Sequence, residues 1–193
     1  MILRKWGRVN RNIRFIYKEH VLEIVSMFTY LGIVFTAGGN LNATFEMLAG
    51  QALKAIFKLK SNLLTFPGIT IQHKLDLFDK LSLPILNYGS EVWGLNDSTK
   101  LEGIHIHFCK HFLWVIGQTQ SNFVYGELGR TSLKSRRVVN VIKYWLKIIV
   151  QLDNTKFAKK MYYLMYRHLD HNPTHMSWAR NVKTLLQSTG LYE

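Results

Sequence analysis

Twelve carboxylates are available to build a two-metal polymerase or nuclease site, and none of the five aspartates stands next to another. Asp76 and Asp79 are spaced i, i+3 between Lys74 and Lys80, the pattern of a solvated helix face and not of a metal clamp. No Gly-rich phosphate loop ends in Lys-Ser/Thr, and no Gly-x-Ser-x-Gly elbow is present. His107 and His111 form one i, i+4 pair, His105 and Cys109 another on a different face, and His168, His171 and His175 follow. A structural zinc site wants four ligands, usually thiolates. Cys109 is the single cysteine, so neither a metal nor another cofactor is expected. Cys109 itself, in an apolar helical pattern, is expected to be an inert core thiol. The sequence offers no catalytic constellation, and the chain as it stands is not expected to be an enzyme.

The chemistry that remains is electrostatic. Among 193 residues, 25 Lys and Arg face 12 Asp and Glu, a formal net charge of +13. That balance calls for a polyanionic partner. Residues 1–20 hold six basic residues against Glu19, and residues 130–167 hold ten against Asp153. On a helix through the second cluster, Arg136, Asn140, Lys143, Lys147 and Gln151 fall on one stripe. Val138, Ile142, Trp145, Leu146, Ile149 and Leu152 fill the opposite side, with Tyr144 and Arg137 on the border. Solvated stripes usually mix signs, because like charges one turn apart repel; this one has no acid. It is expected to contact nucleic-acid phosphates, with Arg130, Lys134, Arg136, Arg137, Lys143 and Lys147 as the candidate residues. Nothing in it implies readout of base edges.

The elements that must carry these residues are β first and α afterwards. Arg8–Tyr17, Val21–Val25 and Met27–Phe35 read as three strands, with Lys18-Glu19-His20 a turn and Gly32 a bulge or close approach inside the third. From Asn42 the apolar period lengthens to a helix ended by Pro67-Gly68. A second helix spans about 71–93 and is expected to kink or break at Pro84. Asn96-Asp97-Ser98 supplies N-cap candidates for a third, which ends near Gly117. One or two turns fall within 122–128. A long helix opens at Ser132 or Ser135 and is broken by Asp153-Asn154. A further helix covers 156–169, and after Asn172-Pro173 the last covers about 177–187. The expectation is a mainly α chain in which an N-terminal antiparallel β-ribbon (1–39) precedes a bundle of about six or seven helices (40–193). No apolar run approaches the ~20 residues of a membrane span, and the N-terminus lacks the apolar stretch of a signal peptide. A cytoplasmic or nuclear location is expected.

Phe28-Thr29-Tyr30-Leu31-Gly32-Ile33-Val34-Phe35 resembles the F-x-Tyr-Leu-Gly block that follows the palm in reverse transcriptases of non-LTR (LINE-type) retrotransposons. Leu77–Lys80, Pro84–Gly94, Phe108–Lys110, Val124–Arg130 and Ile142–Ile148 resemble the stretch downstream of it, so the likeness runs from about Ile2 to Leu191. The resemblance implies a primer grip at Tyr30, Leu31 and Gly32, and a thumb-like helical domain that holds an RNA/DNA hybrid or duplex by its backbone. The family's catalytic Tyr/Phe-x-Asp-Asp motif lies upstream of the grip, and this chain contains no Asp-Asp. The resemblance therefore implies a fragment lacking fingers and palm, cut at both ends, with those missing parts as its natural partners. Two alternatives stand beside it: a peripheral membrane or partner-binding basic module, and non-functional translated debris. A thumb without its palm is expected to leave the ribbon and one helical face uncovered.

Overall fold

The structure is a computed structural model that describes residue 2 and residues 13–64, 66, 68–96, 98–171 and 177–191. Expectations placed on Arg8–Asn12, Pro67, Asp97, Asn172 and Pro173 lie outside the described residues. The described chain is mainly helical, with two small antiparallel hairpins at its N-terminal end. It forms two compact units, one through Leu86 and the other from Asn87 on.

In the first unit, β1 (Phe15–Tyr17) pairs with β2 (His20–Leu22), and β3 (Met27–Tyr30) pairs with β4 (Ile33–Thr36). The run from Met27 to Phe35 is thus two strands and not one. Tyr30 pairs with Ile33, so Leu31 and Gly32 are the two central residues of the turn. Both have positive φ, 47° and 74°, the backbone whose twist matches that of the flanking strands. Gly32 therefore serves the turn and not a bulge. Lys18 and Glu19 do the same for the first hairpin, with φ of 45° and 68°.

The ribbon is fastened to the first helix by one side chain. Thr44 Oγ1 donates to Val34 O at 2.9 Å and accepts from Val34 N–H at 3.0 Å, so the backbone of β4 finds a side-chain partner on α1 (Asn42–Leu64). Phe45, Leu48, Ala49, Ala52, Ile56 and Leu59 form the buried stripe of α1, at the spacing a helix face requires. Against α1 pack α2 (Ile71–Leu81) and α3 (Leu83–Leu86), which bury Leu75, Phe78 and Leu86. The helix expected over 71–93 is broken around Pro84, as its missing amide donor requires. This break, together with short turns, raises the count to nine α-helices among the described residues.

The second unit opens with α4 (Ser90–Trp93), followed by α5 (Thr99–Leu113), α6 (Ser121–Glu127), α7 (Leu133–Leu146), α8 (Phe157–His171) and α9 (Trp178–Ser188). A π-helical turn, Lys147–Gln151, continues α7. Side-chain hydroxyls cap two of these helices: Ser132 accepts from Ser135 N–H at 3.3 Å, and Ser177 from Arg180 N–H at 3.2 Å. Each satisfies an orphan donor of the first turn. An aromatic cluster of Tyr144, Trp145, Tyr162 and Trp178 surrounds Ile148, Leu169 and Ala179. Cys109 is buried, as an apolar helix position predicts. No helix among the described residues is long and apolar enough to cross a membrane.

Candidate nucleic-acid interface

The position of α7 is set by groups far from it in sequence. The carboxylate of Glu102, on α5, accepts from the backbone N–H groups of Leu133 (3.1 Å) and Lys134 (3.3 Å). It thus places a negative charge on the positive end of the α7 dipole. Tyr125 O–H also donates to Glu102, and His105 Nδ1 lies 3.6 Å away. Burial pushes the Glu102 carboxyl up, but the neighbouring His105 ring and the hydrogen bonds from Tyr125 and Leu133 outweigh it and hold the group down at about 2. Burial, then the bond to Glu102, raises the Tyr125 phenol. Arg130 Nε donates to His105 Nε2 at 3.1 Å, which puts the ring proton on Nδ1, toward Glu102. Burial pushes the His105 pKa down, against the pull of Glu102.

The second fixing point is Arg137. Expected on the border of the basic stripe and as a phosphate contact, it is 1% exposed. Its Nε donates to Asn87 Oδ1 at 3.0 Å, a terminal nitrogen donates to Ser98 Oγ, and its guanidinium lies 5.1 Å from the Trp93 ring centroid. Burial draws its pKa down to about 10, so it stays charged at neutral pH. Arg137 is therefore withdrawn from the candidate interface. A guanidinium buried among amide, hydroxyl and indole partners is a structural group, and its fork of donors suits that use.

Residues 87–94 form the cradle. Asn87 accepts from Arg137. Gly89 takes the left-handed conformation (φ 68°) that opens α4. Buried Ser90 accepts from Asn140 Nδ2 at 3.0 Å. Trp93 donates its indole N–H to Tyr88 O at 2.9 Å and supplies the ring beneath Arg137. At Gly94 a Cβ would meet Ser90 O and would come within 3.0 Å of Arg137 Cβ, so only glycine lets α4 approach α7 this closely.

This packing rolls α7 by about one residue's angular step (~100°) from the orientation expected of its apolar pattern. The buried seam is Leu133, Arg137, Val141 and then Ile148. Leu146, expected to face inward, is exposed, together with Val139 and Val150. Asn140, expected in the basic stripe, turns toward α4.

The remaining predicted residues divide cleanly. Lys134, Lys143 and Lys147 are exposed, and Arg130 and Arg136 are half-buried. Lys159, in the same basic cluster, is buried and donates to Ile149 O and Leu152 O at 3.0 and 2.9 Å, closing the end of the π turn. Of the ten basic residues in 130–167, Arg137 and Lys159 thus serve the fold; the other eight reach solvent. Tyr30 and Leu31 are exposed at the tip of the second hairpin, and Gly32 is its second turn residue. The grip-like turn belongs to the first unit and the α7 lysines to the second.

Sequence reasoning missed Glu102, Tyr125 and Gly94. Glu102 lies 31 residues from the amide it caps, beyond the reach of any local capping pattern. Gly94 stood in the family-like block without a physical role until α7 was placed against it. A cleft of about 430 Å³ lies beside these groups, lined by Leu95, Asn96, Ser98, Thr99, Lys134 and Arg137 with Glu102.

Comparison with protein-family models, with curated proteins and with solved structures finds no match.

Proposed function

We propose that this chain corresponds to the primer-grip and thumb portion of a non-LTR-type reverse transcriptase, and that it binds nucleic acid through the phosphate backbone. The observation that carries this reading is the charge left at the surface of the second unit. Lys134, Lys143, Lys147, Lys156, Lys160 and Arg167 are exposed, and Asp153 is the single acid of residues 130–167. Such a field attracts phosphates without regard to base sequence. The order of a hairpin pair followed by helices agrees with the resemblance. So does the exposure of Phe15, Ile16, Tyr17, Val21, Met27 and Phe28 on both hairpins, the apolar surface a palm would cover.

The test is binding to an RNA/DNA hybrid across a salt series. The logarithm of affinity should fall steeply with that of salt, each neutralised phosphate adding about −0.9 to the slope. Lys143→Glu with Lys147→Glu should flatten the slope by roughly two and lower affinity at least tenfold. Circular dichroism should show unchanged helix content, since both side chains are exposed. A flat salt dependence would overturn the reading.

A further inference from the structure

Helix α5 ends at Leu113, and Trp114 follows in the left-handed conformation (φ 55°, ψ 31°). At this position helices recruit glycine, because a Cβ disfavours that backbone. The indole gains no burial in exchange: Trp114 is 89% exposed. Its ring stacks on His111 with centroids 6.1 Å apart and planes 30° apart. The support beneath it is firmly held. Lys110 Nζ donates to Gly117 O at 2.6 Å, Val115 N–H to Lys110 O at 3.2 Å and Thr119 N–H to Ile116 O at 3.1 Å. Residues 103–126 contain Lys110 and no acid, and two of their three histidines, His107 and His111, are exposed. A large aromatic side chain on an unfavourable backbone, left in water, serves something other than folding.

We propose that the Trp114–His111 stack is a base-stacking platform for single-stranded nucleic acid. The inference rests on the phosphate-binding reading above and adds to it a second site with a different substrate form. A nucleobase laid on the indole would extend the stack already begun with His111, and stacking on an aromatic face tolerates any base. The acid-free segment that carries the stack suits the negative strand to which that base belongs. A stack of two heteroaromatic rings fits a base, while Ile116, also exposed nearby in the chain, makes a lipid surface the competing occupant that the test must separate.

Trp114→Gly provides the test, because glycine is the residue this backbone favours and the variant should keep or raise the melting temperature. Binding is measured for a labelled oligothymidylate, an RNA/DNA hybrid and vesicles containing phosphatidylserine. Trp114→Gly should lower affinity for the oligothymidylate about tenfold, leaving affinity for the hybrid and its salt slope unchanged. Trp114→Phe should recover most of the loss. Unchanged oligothymidylate binding would overturn the inference, and steep hybrid binding beside it would leave the proposed function standing. Failure of the wild-type chain to bind either nucleic acid would remove both. A Trp114 dependence seen only with vesicles, or a loss that tracks falling helix content, would also overturn it.

Discussion

The second hairpin of the first unit and the α4–α7 junction of the second invert the usual relation between residue type and burial. Met27, Phe28, Tyr30 and Leu31 lie exposed on the hairpin, whereas Arg137, Ser90 and His105 are enclosed in the second unit. The hairpin is a two-stranded ribbon, and such a ribbon has too little surface of its own to cover its side chains. The junction is tight because partners meet polar groups turned inward: Asn87 and Ser98 for Arg137, Asn140 for Ser90, Arg130 for His105. Burial here follows the supply of partners and not the hydrophobicity of the residue.

The largest effect should come from removing Arg137. Arg137→Ala deletes the partner of Asn87 and Ser98 and leaves a void under α7, which should cost about 2–5 kcal/mol, read as a lowered denaturation midpoint. Hybrid affinity per folded molecule should hold, since the guanidinium is enclosed. A loss of affinity in the folded variant would break the contrast by returning Arg137 to the binding surface.

Glu102→Gln should come next, at about 1–2 kcal/mol, the range of a lost helix cap. Its pH dependence gives the sharper signal. The folded carboxyl sits at about 2, below its ordinary 4.5. The unfolded state therefore binds its proton first as pH falls. Stability from this group is whole above about 4.5 and drains away as pH drops toward 2. The glutamine variant should lose that part of the acid limb, measured by denaturation at a series of pH values.

The smallest effect belongs to the hairpin. Leu31→Asn places a residue tolerant of left-handed backbone at φ 47° and gives up almost no burial. It should stabilise by about 0.5–1 kcal/mol. A destabilisation would mean that Leu31 is covered in solution, which would remove the exposed side of the comparison.

Much of the architecture was legible along the chain. Pro84, tolerated only in a first turn, ends the helix before it and lets a new one start, Ser132 and Ser177 cap the helices they precede, and the apolar period locates α1 and α8. The second hairpin was missed because Tyr-Leu-Gly-Ile reads as continuous strand when Leu occupies a turn position that usually takes Asn or Gly. Of the candidate site, the exposed lysines at 134, 143 and 147 could be read from charge and spacing, whereas the roll of α7 could not. An apolar pattern assigns Arg137 to the border of a solvent face, and nothing within its own helix announces a waiting amide and hydroxyl.

What the sequence alone determined is the order of elements, the one-sided charge and the lack of an Asp-Asp pair. These depend on local propensity and on composition. Tertiary structure decided which of two adjacent arginines entered the core. Arg136 and Arg137 have the same chemistry and differ by one step around a helix. The choice rests on Asn87 and Ser98, which are 50 and 39 residues away, because a buried charge needs partners that only a folded chain can assemble. That choice also settled which lysines of the helix remain in solvent.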